Sequence, residues 1–428
     1  MLNSPAFRRE GKIFKRIGLT AWIFIGIALG VFCGWLFGPS LLPVSQPIGK
    51  VFLTLLKMVI VPLVFSSIAS GVAGIGSTGR LGMMGAKTLL YYISTSLLAI
   101  LTGLAIVNIL KPGVGAELGL EASPGSIVTS QPGLLDVFLK MVPENPVSAA
   151  VEGNMLQIIF FAILFGVFIT RVDQRFGKPV QDLMAGLFEV MMKMTRFIIQ
   201  LIPIGAFGLV GSIVARTGFA AFIPLGKYAF CVVLGLVIHA CISLPLITRL
   251  VGGINPLKHV RAMGPALMTA FSSASSSATL PLTMECAEDR AGISNKTSSF
   301  VLPLGATVNM DGTALYECVA VIFIAQYYFS HGQGFALSTA QQAIVVVTAL
   351  LASIGAAGIP MAGLVMMSVV LKAVGLPLEG VGLILAVDQV LDMGRTTVNV
   401  WSDSCGAAII AASEGETGLT VFAAKPEG

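Results

Sequence analysis

Charge is what this chain has least of. Only 11% of its 428 residues are Asp, Glu, Lys or Arg, against about 25% in soluble domains. That scarcity, with 55% hydrophobic residues and a mean hydropathy of +0.90, excludes an ordinary soluble enzyme. A net charge of +5, with no basic patch interleaved with aromatics, gives no nucleic-acid surface. Histidine is almost absent, at three residues, and the six cysteines (Cys33, Cys231, Cys241, Cys286, Cys318, Cys405) form no CxxC pair and no Cys/His cluster. Five lie in or beside apolar runs and read as small buried hydrophobes, not as a disulfide framework or metal site. What remains is a polytopic membrane protein, one integral domain, whose few Arg and Lys follow the positive-inside rule.

The basic start RREGKIFKR (8–16) precedes the apolar run 17–38, too long for a signal-peptide core and followed by further spans. It reads as a first transmembrane helix with residues 1–16 cytoplasmic. Further spans are expected near 46–74, 84–110, 150–171, 182–215 and 222–250. Arg171, Arg175 and Lys178 follow the fourth; Arg249, Lys258 and Arg261 follow the sixth; both clusters belong inside. The acidic segment 112–149 (Glu117, Glu121, Asp136, Glu144) suits the outside. An even span count with cytoplasmic termini results.

The second half is less regular. PALMTAFSSASSSATLPLT (265–283) is too short to cross and is broken by serines. A long apolar helix (300–326) is interrupted by NMDGT, and the run 340–372 is broken at SIGAAGIPMAG. Non-helical backbone survives at membrane depth only where protein or a water-filled cavity satisfies it. The pattern fits two re-entrant hairpins plus two more spanning helices. The expected fold class is therefore all-α and polytopic: eight transmembrane helices plus two re-entrant helical hairpins, with broken helices and inverted repeats that place a transport site at the breaks.

The last apolar run carries an unexpected load. At 100° per residue, Asp388, Asp392, Arg395, Thr396, Asn399 and Asp403 fall within an arc of roughly 100°. Charges at the centre of a spanning helix cost about 2.5–3.5 kcal/mol each even on lenient scales, so this stripe faces protein or cavity. A salt-bridge seam would pair Arg395 with one Asp and leave two carboxylates over. Excess buried acid beside broken helices suggests cations, for which carboxylates, an amide oxygen and free carbonyls are suitable hard ligands. Arg395 offers the planar fork that grips a carboxylate.

SSSATLPLT, VLPLGATVNMDGTALYE, SIGAAGIPMAG and DMGRTTVNVWSD, with EGNMLQIIFFAILFG (152–166) before them, resemble the signature segments of the dicarboxylate/amino acid:cation symporters. This is the glutamate–aspartate transporter family, which includes excitatory amino-acid transporters and archaeal aspartate transporters; broken helices of this kind are known in an archaeal member. The likeness runs in order over nearly the whole chain. It implies a sodium-coupled, elevator-type symporter of acidic amino acids, a homotrimer in the lipid bilayer. Residues 17–250 would form mainly the scaffold, with the third span joining the transport unit. Residues 251–413 would form the core transport domain and 414–428 a cytoplasmic tail. The long glycosylated insertion of animal members is absent, and the sequon at Asn295 lies in a stretch the family places in the cytoplasm, so a bacterial inner membrane is expected.

The resemblance assigns roles residue by residue. Arg395 would take the substrate's side-chain carboxylate and Asp392 its ammonium, with Thr313, Thr396 and Asn399 adding hydrogen bonds. The α-carboxylate would sit at Ser275, Ser276 and Ser277 on a helix N-terminus. Ile359 and Gly363 would close over it. Up to three sodium sites are implied: Gly305, Asn309, Asn399 and Asp403; Thr307, Met310, Ser353, Ile354 and Ala356; and Tyr92, Thr95 and Ser96 with Asn309 and Asp311. Where many members carry a further Arg, this chain has Ala274 and Met393. Glu317 stands where proton-coupled members have Glu, and an apolar helix penalises the charged form of a carboxyl group, which makes it a candidate proton carrier. The alternatives are a C4-dicarboxylate:cation symporter, for which Asp392 would face an anion, and a glutamate symporter coupled to protons alone. An intramembrane hydrolase built on Ser275 or Ser276 lacks a neighbouring base: His259 precedes the serines, and His239 and His331 lie in other spans.

Overall fold

The structure is a computed structural model that describes residues 19–75, 82–116, 142–152, 154–219, 222–332, 336–354 and 361–419. The second hairpin's tip, with Ile359 and Ala356, the N-terminal segment 1–16 and most of the acidic segment 112–149 lie outside the described residues. Every element among the described residues is helical.

The chain opens with α1 (Leu19–Phe37), a short 3₁₀ turn (Gly38–Leu41) and α2 (Leu42–Ile75), followed by α3 (Gly82–Leu110). The stretch Ala21–Ala73 is apolar enough to span and is 53 residues long. At 1.5 Å per residue this is about 80 Å, far beyond one crossing of a ~30 Å hydrocarbon core; the 3₁₀ turn divides it. Next come α4 (Pro146–Glu152), α5 (Met155–Ile169), α6 (Gln174–Gln200) and α7 (Ile202–Thr217), the last two bent by 53°. The expected single span over 182–215 is thus two helices, and it starts earlier because Asp173 caps α6 by accepting from the Arg175 N–H at 3.0 Å. Helix α8 (Phe222–Ile238) widens into a π-turn (His239–Ser243) before α9 (Leu244–Leu250).

The second half holds the breaks. Helices α10 (Pro256–Ser273) and α11 (Ser276–Glu285) pack on each other where the first hairpin is expected, α12 (Asn295–Val308) and α13 (Asp311–Ser330) are the two parts of the interrupted helix, and α14 (Thr339–Ile354) and α15 (Ala362–Ala373) pack on each other where the second hairpin is expected. The long α16 (Gly380–Ser413) ends the fold. Helix α10 begins at Pro256, nine residues before the serine-broken run, where the Asn255 side chain caps it. The interruption of α12–α13 is narrower than NMDGT suggests, because only Asn309 and Met310 leave the helical state. A non-glycine residue sits in the left-handed region at each of two breaks: Ala274 (φ +49°), where α10 ends, and Met361 (φ +60°), where α15 begins.

Several of these helices are long and apolar enough to cross a bilayer, so this is a multi-pass membrane protein. Helix α13 is its axis: every residue from Asp311 to Ala325 is buried, as expected of a helix apolar all round. It packs against α3, α8, α14, α15 and α16. On the other side α1 lies along α7 through Gly26, Gly30 and Gly34; a Cβ on Gly30 would stand 2.9 Å from the Phe207 carbonyl oxygen, and one on Gly34 2.8 Å from that of Gly211. Small residues spaced by four let the two backbones approach closely.

Past α16 the chain folds back over the start of α12. Glu416 accepts from the Ser294 N–H (2.9 Å), the Ser294 hydroxyl (2.6 Å) and the Thr297 hydroxyl (2.5 Å). Its neighbour Glu414 pairs with Lys87 at 2.7 Å.

Candidate functional site

The polar stripe of α16 turns inward as a whole. Asp388, Asp392, Arg395, Thr396, Asn399 and Asp403 are all buried, Arg395 completely. Two clusters form along it.

The first surrounds Arg395. Its Nη2 donates to Asp392 Oδ1 at 2.8 Å and lies 3.1 Å from Asp388 Oδ1, so the guanidinium answers to two acids of its own helix. Its Cζ stands 3.7 Å above the Tyr316 ring of α13, a cation–π contact. Nη1 and Nε have no hydrogen-bond partner among the described residues. Nη1 points at the first turn of α15, where a Cβ on Gly363 would come within 2.6 Å of it; only glycine lets the second hairpin rest there. The other oxygen of Asp392, Oδ2, accepts from the Met361 N–H at 2.7 Å. Asp392 is thereby tied to the hairpin backbone on one side and to Arg395 on the other. Glu317 is buried one turn from Thr313, and neither of its carboxyl oxygens has a hydrogen-bond partner among the described residues.

The second cluster fills the break of α12–α13. Asp311 Oδ1 accepts from the Ser96 hydroxyl at 2.6 Å and the Thr95 hydroxyl at 3.3 Å, while Oδ2 accepts from the Ser402 hydroxyl at 2.6 Å. His239 Nε2 lies 3.0 Å from the same Oδ2. The Asn309 amide donates to Asp403 Oδ1 (2.9 Å) and Ser402 (3.0 Å). A Cβ on Gly305 would sit 2.5 Å from Asp403 Oδ1 and 2.7 Å from the Tyr92 hydroxyl, so this cradle also needs glycine. The Tyr92 hydroxyl itself donates to the Val301 carbonyl at 2.7 Å. Asn399 joins the clusters: its Oδ1 accepts from the Gly312 N–H at 2.8 Å and its amide donates to Thr313 at 3.2 Å.

At the first hairpin Ser275 caps α11 by accepting from the Ala278 N–H at 3.2 Å. Ser275 and Ser276 are buried and Ser277 is exposed. The Thr307 and Ser353 hydroxyls bond back to their own helices, at Leu304 (3.1 Å) and Leu350 (2.8 Å), and the Met310 carbonyl starts α13 by accepting from Ala314 at 2.9 Å. Ile354 is the last helical residue before the undescribed tip.

Tyr316, Met361 and Ser402 belong to these clusters without having been singled out by sequence, and His239, considered there only as a base for the hairpin serines, belongs to them as well. Ser402 could have been found, adjacent to Asp403 on the inward side of α16. The other three make contacts between elements far apart in the chain, for which no spacing rule exists.

Five carboxyl groups (Asp311, Glu317, Asp388, Asp392, Asp403) and one guanidinium are thus buried on α13 and α16, with Asp311 at the break of α12–α13. Buried ionisable groups in a membrane core mark solute or ion pathways, and this site belongs to a secondary transporter of charged solutes. A profile of the sodium:dicarboxylate symporter family matches residues 19–413, and the chain belongs to that family. It is 36% identical over 411 residues to the proton/sodium-glutamate symport protein of Geobacillus stearothermophilus, covering 94% of this chain and 96% of that one. It is 34% identical over 375 residues to the proton/glutamate-aspartate symporter of Escherichia coli strain K12, covering 86% and 84%. Over 471 residues it is 35% identical to excitatory amino acid transporter 3 of Homo sapiens, covering 96% and 88%.

Proposed function

We propose that this protein is a symporter that takes up glutamate or aspartate with sodium, and that a proton accompanies them through Glu317. The observation that carries this reading is the pairing of Arg395 with Asp392 beside a separate acidic cluster at Asp311 and Asp403. An acidic amino acid needs one cation and one anion in its site; it does not need the second cluster, and an ion does. Arg395, whose Nε and Nη1 have no hydrogen-bond partner among the described residues, takes the side-chain carboxylate. Asp392 takes the ammonium, with Thr313, Thr396 and Asn399 alongside. The N-terminus of α11 at Ser275–Ser277 takes the α-carboxylate, and Ile359 and Gly363 cover the site. Up to three sodium ions are assigned to the carbonyls of Gly305, Asn309 and Asn399 with Asp403; to the carbonyls of Thr307, Met310, Ser353, Ile354 and Ala356; and to the Tyr92–Thr95–Ser96 turn with Asn309 and Asp311.

The finer architecture belongs to the same proposal. Eight spans and two re-entrant hairpins are assembled as a homotrimer in a bacterial inner membrane, with both termini cytoplasmic. The unit built from α10–α16 with α3 slides against the rest in an elevator motion. The rival reading, a C4-dicarboxylate carrier, is disfavoured because Asp392 would face an anion in a site whose acids already outnumber Arg395.

Uptake by proteoliposomes tests the proposal. Labelled aspartate should enter in sodium and not in choline, and unlabelled aspartate and glutamate should compete while succinate does not. Uptake unchanged in choline would remove sodium; equal competition by succinate would remove the amino acid. Net uptake between pH 6 and 8 should vary with pH in the wild type and be flat in Glu317→Gln. A flat wild type, or a mutant with the same profile, leaves Glu317 a buried structural residue.

A further inference from the structure

His239 lies outside every role assigned above. It is fully buried, and it begins the π-turn His239–Ser243 that separates α8 from α9. A π-turn inserts one residue into the helical ladder and re-aims the side chains around it; such bulges recur at functional sites. Here the distortion is held from outside its own helix, because the Trp401 indole N–H of α16 donates to the Ala240 carbonyl at 3.1 Å. The outcome is a ring whose Nε2 meets Asp311 Oδ2 at 3.0 Å. A nitrogen facing a carboxylate oxygen is the N–H donor of that pair.

The contacts of Asp311 divide by oxygen. His239, on the π-turn after α8, and Ser402, on α16, both donate to Oδ2. Ser96 and Thr95, on α3, both donate to Oδ1, on the side where the family resemblance places an ion. We infer that His239 is a positioning residue for the ion site at Asp311: with Ser402 it fixes Oδ2 and so sets the plane of the carboxylate, leaving Oδ1 and the α3 hydroxyls to meet sodium. This rests on the reading of Asp311 as a sodium ligand. Outer hydrogen-bond partners of metal ligands typically contribute about 10–100-fold in affinity.

The experiment uses the purified full-length protein in nanodiscs. Sodium is titrated against the midpoint of thermal unfolding without substrate, and L-aspartate affinity is measured separately at saturating sodium. His239→Leu removes the donor. His239→Gln keeps one, since its amide nitrogen falls where Nε2 stands. Ser402→Ala removes the second donor to the same oxygen. The expected result is a half-saturating sodium concentration raised about tenfold or more in His239→Leu, raised also in Ser402→Ala, and close to wild type in His239→Gln, with aspartate affinity at saturating sodium unchanged throughout. Should His239→Leu not survive purification, His239→Asn, whose amide stops one bond short, takes its place with the same expectation. Wild-type sodium dependence in the Leu or Asn variant overturns the inference, and so does equal impairment of Leu and Gln. A wild type without any sodium dependence overturns the ion reading itself and this inference with it.

Discussion

At the scale of single residues, Arg395 decides most. Removing one partner of a buried charged set leaves the others uncompensated, at a cost of about 3–5 kcal/mol, and here two aspartates would be left. Arg395→Cys should therefore lower thermal stability and weaken acidic substrates by about 2–5 kcal/mol, the usual loss for a buried charge pair. A small neutral substrate never had this partner. Competition by aspartate and by serine against a common labelled substrate checks the difference, and an equal loss for both would make Arg395 structural. The inward facing of Arg395 was legible in the sequence, because six polar positions on one arc of an apolar helix have nowhere else to point. Its stacking on Tyr316 was not, since α13 and α16 meet through tertiary packing that no periodicity encodes. Met361 was hidden for another reason. It acts through its backbone N–H, which every residue but proline carries, so its identity announces nothing.

Among the elements, breaks and caps were read with unequal success. The breaks between α10 and α11, between α12 and α13, and between α14 and α15 were visible as serine, glycine and proline inside apolar runs. The π-turn after α8 was not, for its residues HACIS (239–243) break no propensity rule and the distortion is held by Trp401 from another helix. The Gly26–Gly30–Gly34 spacing was available and predicts the close α1–α7 seam, given the rule that small residues at four-residue intervals pack helices in lipid. The clasp of Glu416 on the Ser294 cap of α12 could not be foreseen, since it comes from beyond the last helix. Glu416 is only partly buried; that burial raises its carboxyl, but the hydrogen bonds from Ser294 and Thr297 outweigh it and hold the group below the usual glutamate range. A carboxylate lowered in the folded state stabilises at neutral pH and loses that contribution as pH falls through its folded value. The C-terminal turn should thus loosen below the ordinary carboxylate range. Glu416→Gln should loosen it already at neutral pH and remove the acid sensitivity. Amide hydrogen exchange at Ser294, whose N–H Glu416 receives, reports both; protection independent of pH and of the mutation would mean that the Glu416 clasp contributes nothing.

For the whole molecule, composition and hydropathy were enough to establish a multi-pass helical membrane protein. The order of motifs was enough to anticipate its family. How the elements close on one another came only from the fold, and one closure has a consequence in time. Asp392 Oδ2 is held by the Met361 N–H at the root of the second hairpin. In the proposed site, the substrate's ammonium seeks that same carboxylate. The chain at Met361 then covers the buried oxygen that the ligand must reach, and neither the amino acid nor its concentration can hurry that segment's departure. Capture becomes a gated event. Followed by stopped-flow fluorescence in saturating sodium, its observed rate should climb with aspartate at first and then level off at the opening rate of the hairpin, in the range typical of lid motions, microseconds to seconds. A rate still rising in proportion to aspartate at concentrations far above the dissociation constant would mean that the gate stands open before the ligand arrives.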